Sequence, residues 1–234
     1  MKITIGHLYP QLLNLYSDRG NIMTLCYRLE QRGIEAQVVQ YDTNDIDFEN
    51  TDILYIGGGT DREQQLVCNK LSEVRDAIGE YIEQGGCMLA TCGGFEMLGK
   101  NFCGGDGLGI LDITTEYASD RFIGDAVIQS EVTGGSIVGF ENHNGRINIG
   151  SYNPLGKVTC GNGNNGADGT EGLVYKNLVA TYLHGPVLPK NPKLADYIIK
   201  CAIDRKYNTD TQLEMLDDTT EELAHKYIVD RCNK

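Results

Sequence analysis

Short apolar runs and stretches of helical periodicity alternate over the first hundred residues. Lys2 to Leu8 reads as a buried first strand, and Ile22, Leu25, Cys26 and Leu29 fall on one face of a helix. Ser17 is placed to cap that helix near Asp18, and Gly33 to end it. Glu35 to Val39 and Ile53 to Ile56 read as the second and third strands. Strand, helix, strand in that order is a βαβ unit. The prediction is an α/β fold, with a mostly parallel central sheet and helices on both faces. Leu71, Val74, Ile78 and Ile82 then recur at helical spacing as far as Gly85-Gly86, and Cys87 to Ala90 is a fourth apolar run, too short for a helix.

Beyond Gly99 the texture changes. Gly104 to Gly109 reads as loop, Arg121 to Ile128 and Gly135 to Phe140 as strands, and Glu141 to Arg146 as a polar loop. Cys160 to Thr170, rich in Gly and Asn, reads as a surface loop. Leu173 to Thr181 has the pattern of a hairpin leading into Tyr182-Leu183-His184-Gly185-Pro186. Pro192 opens a helix with Leu194, Ile198 and Cys201 on one face. The tail from Thr209 to Lys234 is acidic, then amphipathic around Leu223, Tyr227 and Ile228, which predicts a last helix packed on the body or on a partner. No repeat or linker interrupts the pattern, so residues 1–234 are expected to form one domain, with 209–234 as an extension.

Composition narrows the function classes. With 234 residues, 41% apolar and 23% charged, the chain can bury a substantial core. No apolar run is long enough to span a membrane and Met1 leads straight into a strand without a signal peptide, so a cytoplasmic location is expected. A net charge of −13 argues against non-specific nucleic-acid binding, which needs a basic surface. The eight cysteines form no CxxC pair and no Cys/His cluster, so no metal site is expected, and most thiols are expected to be reduced.

Candidate chemistry centres on Thr91-Cys92-Gly93-Gly94-Phe95, where the fourth apolar run meets the opening of a helix. A Cys on a sharp strand-to-helix turn flanked by small residues is exposed to a carbonyl substrate, and the helix start favours the thiolate. The competing reading is a core thiol, one of eight. Gly57-Gly58-Gly59-Thr60 follows the third strand and matches neither a dinucleotide fingerprint nor a P-loop. It reads either as a loose loop or as a source of bare N–H groups at a strand end. Of the histidines, His7 ends the first strand, His143 falls in the polar loop and His225 in the last helix. His184, at a strand end before a rigid Gly-Pro turn, is the best placed base.

Cys92 to Gly99, the Gly57 to Thr60 loop with Asp61-Arg62-Glu63-Gln64, Gly139 to Gly145 and Tyr182 to Pro186 together resemble the class I (triad) glutamine amidotransferases. Within them the chain resembles the cobyric-acid-synthase-type branch, and in particular the glutaminases that work beside a Mur-ligase-like synthetase on lipid II. The resemblance runs from the first strand to about Tyr197 and implies a flavodoxin-like three-layer sandwich. It implies hydrolysis of L-glutamine with Cys92 as nucleophile and His184 as base, and an oxyanion hole from Gly93 and the Gly58-Gly59 loop. It also implies glutamine contacts from Arg121, to the α-carboxylate, and from residue 96. Ammonia would pass to the Mur-ligase-like partner in a heterodimer, for amidation of D-glutamate in the stem peptide. ATP would bind on that partner, leaving no cofactor in this chain.

Three positions depart from the pattern. Pro186 stands where class I enzymes usually carry the Glu that orients the imidazole; in the lipid II branch the partner is expected to supply an Asp. Glu96 stands where Gln is usual, and Ala90 where Gly is. Amidation of a corrin precursor, or a catalytically silent subunit of the same fold, are the alternative readings.

Overall fold

The computed structural model describes residues 1–15, 19–102 and 104–233, so the expected cap at Ser17-Asp18 lies outside the described residues. Six strands form the central sheet: β1 (Lys2–Leu8), β2 (Glu35–Tyr41), β3 (Ile53–Ile56), β4 (Cys87–Thr91), β11 (Leu173–Tyr175) and β12 (Leu178–Thr181). Their order is β11-β12-β4-β3-β1-β2, parallel except for β11, which pairs antiparallel with β12 as the hairpin pattern predicts. β3, β4 and β12 are buried along their whole length, which is why they read as continuous apolar runs rather than alternating ones.

Successive residues of these strands feed opposite apolar layers. Leu54, Ile56, Met88, Ala90 and Leu178 join one core cluster, while Ile53, Tyr55, Cys87, Leu89 and Val179 join the other. The first cluster takes in Val67 and Leu71 of α2 (Asp61–Leu71) and Ile78 and Ile82 of α3 (Arg75–Glu83). The second takes in Ile22, Leu25 and Leu29 of α1 (Arg19–Glu30) and Leu194, Ile198 and Ile203 of α5 (Pro192–Tyr207). The three-layer arrangement expected from the βαβ pattern is present.

The middle of the chain differs from its sequence reading. β7 (Thr114–Ser130) and β8 (Gly135–Asn148) form one long antiparallel hairpin, joined by β9 (Gly156–Cys160) and β10 (Thr170–Glu171) in the order β10-β9-β7-β8. The stretch expected as a polar loop, Glu141 to Arg146, lies inside β8. Its side chains do alternate, but the buried ones are Glu141, His143 and Gly145, so the period of two carried no apolar signal. The expected loop at 104–109 contains part of a small pair, β5 (Asn101–Phe102) with β6 (Gly105–Asp106). In the Gly/Asn-rich segment, Asn164 is fully buried and bonds to the backbone of Gly172 in both directions, at 3.1 and 2.8 Å.

The last helix, α6 (Thr219–Cys232), has no buried residue. Polar clasps hold it instead. His225 bonds Ser136 at 2.7 Å and the Lys190 carbonyl at 2.9 Å, Arg231 pairs with Asp125, and Asp218, just before its first turn, receives the buried Arg28 guanidinium at 2.5 Å. A disulfide joins Cys160 to Cys232, while Cys26, Cys68, Cys87, Cys92 and Cys201 are reduced, as expected for most of the thiols. The two cysteines stand 72 positions apart, so only the folded arrangement pairs them. Among the described residues no helix is long and apolar enough to cross a membrane.

Candidate active site

Three neighbouring parallel strands end at one edge, and each delivers a predicted segment there: β3 the triple glycine, β4 Cys92, and β12 the segment to His184. Cys92 has φ +53° and ψ −118°, a left-handed backbone unusual for a residue with a side chain. The surroundings enforce it. Its N–H donates to the Thr181 carbonyl at 2.8 Å, and its own carbonyl accepts from Phe95 at 2.9 Å and Glu96 at 3.3 Å, opening the short α4 (Gly93–Met97). Gly94 must be glycine, because a Cβ there would lie 2.6 Å from the Ile56 carbonyl oxygen.

The triple-glycine loop crosses directly over the sulfur. A Cβ built on Gly58 would fall 3.1 Å from Cys92 Cβ and 3.5 Å from Cys92 Sγ. Gly59 is fixed by its carbonyl, which accepts the Gln64 side-chain amide at 2.6 Å. Thr60 caps α2 in a capping box with Glu63. The loop is therefore built and held, which decides against the loose-loop reading of the sequence.

His184 follows β12 and bridges to Phe140 of β8 through two backbone hydrogen bonds of 3.1 and 3.2 Å. It is 1% exposed. Burial pushes its pKa down to about 4, helped by the Lys190 and Arg121 cations, so the imidazole is neutral near pH 7, the form a base needs. Pro186, where an orienting acid is usual, packs on α1: a Cβ on Gly20 would meet its ring at 2.4 Å.

Cys92 opens into a pocket of about 500 Å³ whose walls include Gly93, Gln64, Glu96, Arg121 and His143. Arg121 lies where the β7–β8 register breaks between Tyr117 and Phe122, and Asn142 holds it through Nε at 3.0 Å and Nη2 at 2.9 Å. Glu96 is 6% exposed and accepts two phenol hydrogens, from Tyr117 at 2.6 Å and Tyr182 at 2.7 Å. Burial raises its pKa while those hydrogen bonds and Arg121 oppose the rise. Of the predicted site residues, Cys92, Gly59, Gly93, Glu96 and Arg121 border this pocket, while Gly58 lies against Cys92 and His184 is buried at the end of the adjacent strand.

Sequence reading missed part of the wall. The His143 ring stacks on Tyr182 with centroids 3.6 Å apart and planes 5° from parallel. Its Nδ1 meets the Gly145 carbonyl at 2.8 Å, an acceptor, so Nδ1 carries the proton and Nε2 is a bare acceptor. Burial holds its pKa down at about 4. The signal that places His143 here is its two-residue spacing from Glu141 and Gly145 along β8. His7 packs edge-on to Tyr55 at 5.2 Å, and His225 serves the α6 clasp.

A profile of the CobB/CobQ-like glutamine amidotransferase domain matches residues 4–192. The chain belongs to this family. Among curated CobB/CobQ-like and related proteins, it is 45% identical to the "Lipid II isoglutaminyl synthase (glutamine-hydrolyzing) subunit GatD" of Staphylococcus aureus, an alignment covering 100% of this chain and 97% of that one. The GatD subunit of Streptococcus pneumoniae is 38% identical over 97% of this chain and 90% of its own. The cobyric acid synthase of Rhodococcus jostii is 26% identical over 63% of this chain but only 28% of that protein. Two solved structures share the amidotransferase fold. PurLQS from Thermotoga maritima has a TM-score of 0.59 at 16% identity, covering 89% of this chain and 100% of that one. A glutamine amidotransferase has a TM-score of 0.60 at 20% identity, covering 85% and 98%.

Proposed function

We propose that this chain is the glutamine-hydrolysing subunit of a lipid II isoglutaminyl synthase. The observation that carries the reading is Cys92 on its left-handed turn at the edge where β12 delivers a neutral His184. The near-full-length similarity to two GatD subunits supports the choice of acceptor. Cys92 Sγ attacks the glutamine γ-carboxamide carbon, and His184 takes the thiol proton and hands it to the departing ammonia. The N–H of Gly93 and one from the Gly58-Gly59 loop hold the tetrahedral oxyanion, each worth about 3 kcal/mol. Water then cleaves the thioester, releasing glutamate and restoring the thiol. Arg121 holds the substrate α-carboxylate, a task its planar fork suits.

The second protein is a Mur-ligase-like synthetase, which binds ATP and the lipid II acceptor in the cytoplasm and receives the ammonia. Because Pro186 replaces the orienting acid, a carboxylate of that partner completes the site at His184. Amidation of a corrin precursor is the weaker reading, since the similarity to a cobyric acid synthase is confined to 28% of that longer protein. Glutamate release from glutamine tests the proposal, measured on the chain alone, with the synthetase, and with Cys92→Ala. Hydrolysis that rises on assembly and vanishes in the variant is expected; no hydrolysis under any condition leaves a silent subunit.

A further inference from the structure

A helix without a buried residue gains little from apolar packing, so α6 depends on a few specific ties. Among the described residues these lie at its start, its middle and its end. Asp218, before the first turn, is pinned by the buried Arg28 guanidinium. His225 lies midway, and Cys232, the last residue, is bonded to Cys160. Arg231 also pairs with Asp125, but the Arg231 side chain is half-exposed, and such pairs add little. Opening the sulfur–sulfur bond would leave His225 as the main tie of the second half of the helix.

These ties lead to His184. One ring nitrogen of His225 meets Ser136 Oγ at 2.7 Å and the other meets the Lys190 carbonyl at 2.9 Å. Ser136 belongs to β8, and Lys190 closes a short helical turn, Leu188–Lys190, that begins four residues after His184. His184 itself is bridged to Phe140 of the same β8. The His225 ring thus staples together the two segments that hold the imidazole. The other end of the disulfide reaches the same place. Two residues after Cys160, the Asn162 N–H donates to Glu141 at 3.0 Å, and the Gly163 N–H donates to it at 3.1 Å. Glu141 is buried and adjoins Phe140 along β8.

We propose that Cys160 and Cys232 form a thiol–disulfide switch that controls the order of the His184 segment. Closed, the bond fixes α6 and the staple; opened by a dithiol, it lets the helix swing about Asp218 and lowers glutamine hydrolysis. The effect on turnover rests on the glutaminase reading above. Both cysteines are partly exposed, whereas Cys68 and Cys87 are buried. A thiolate of the reductant attacks one sulfur, forming a mixed disulfide and expelling the other cysteine as thiolate. The second thiol of the reductant then displaces the first. The reductant leaves as a disulfide, and the chain takes up two electrons and two protons as two thiols. In the reducing cytoplasm proposed above, a bond of this kind is transient and senses the thiol balance. Cys92 is already a reduced thiol in the closed form and takes no part.

The test compares the assembled complex with the bond intact, after dithiothreitol, and with Cys160→Ser and Cys232→Ser combined. Alkylation and peptide mass establish the state of each thiol, Cys92 included. Reduction should lower glutaminase kcat by about 10-fold with KM nearly unchanged, short of the ~100-fold that a misplacement of an ångström costs. Amide exchange should quicken in residues 219–232 and 184–191, while β3 and β4 keep theirs. The double variant should match the reduced form and ignore dithiothreitol.

Unchanged exchange at 184–191, or an unchanged kcat, overturns the inference and leaves the bond a fastening for α6 alone. A double variant that still responds to dithiothreitol overturns it as well, because the response then comes from another thiol. So does a folded chain whose disulfide dithiothreitol does not open. If no form hydrolyses glutamine, the glutaminase reading fails, and exchange at 184–191 alone decides whether the switch exists.

Discussion

The backbone N–H of Cys92 donates to the carbonyl of Thr181 at 2.8 Å. This bond extends the β4–β12 ladder one residue beyond the Thr91–Thr181 pair, to the turn that carries the thiol. Three residues after Thr181 comes His184, itself tied to Phe140 on the second sheet. Thiol and imidazole are thereby registered by main-chain hydrogen bonds, which do not depend on side-chain rotamers.

Gly58→Ala tests how closely the glycine loop approaches the sulfur. The added methyl would lie 3.1 Å from Cys92 Cβ and 3.5 Å from Sγ, in the space the proposed oxyanion would need. Glutaminase kcat should fall by about 100-fold, the cost of losing one oxyanion donor, with only a small change in Tm. A variant with full activity would place the oxyanion elsewhere.

The acid limb of the pH–rate profile should report the state of His184. With a pKa of about 4, the imidazole is neutral at higher pH and is lost as a base only below that value. A carboxylate supplied by a partner, as proposed, would stabilise the imidazolium and raise the pKa. The acid limb of kcat/KM should therefore lie near pH 4 for the chain alone and move upward on assembly. An unchanged limb would mean that no carboxylate reaches the ring.

Glu171 should make stability fall as pH rises. It is fully buried beneath β12, accepting from Thr181 Oγ1 at 2.9 Å and the Tyr182 N–H at 2.7 Å. Burial pushes its pKa up to about 7, with Glu141 adding to the rise. Because the folded pKa lies above the unfolded one, the folded state binds the proton more tightly. That contribution is complete below the unfolded pKa near 4.5 and is lost as pH climbs to about 7. It amounts to roughly 3 kcal/mol. Glu171→Gln should flatten the decline, as read by denaturant midpoints between pH 5 and 8.

The Cys160–Cys232 disulfide should hold α6 in place, since no α6 side chain is buried. Closing a loop of this length in the unfolded chain is worth about 4 kcal/mol in the chain-entropy description. Cys232→Ser should lower Tm and speed amide exchange in residues 219–232, leaving exchange in β3 and β4 unchanged. Equal exchange in both forms would show that the polar clasps at Arg28, Ser136 and Asp125 suffice.

Much of this architecture was legible in the residues themselves. The parallel strands that end at the site are buried on both faces, so their apolar runs announce them, and the turn at Cys92 follows from small residues after such a run. The second sheet was not legible in the same way. In β8 the inward positions are Glu141, His143 and Gly145, and a polar side chain facing inward looks the same in sequence as one facing water. The setting of Glu96 was hidden for a related reason. Its two hydroxyl partners lie 21 and 86 positions away, and no local pattern encodes a contact at that range.

By itself, then, the sequence determined the βαβ order, the sharp turn at Cys92, the family and the identity of the candidate base, because each depends on short-range periodicity or on a local motif. Only the tertiary structure decided that Gly58 lies over the thiol, that His143 walls the pocket and that Cys160 meets Cys232. Those contacts join segments distant along the chain, and they exist only once the sheets have set the register between them.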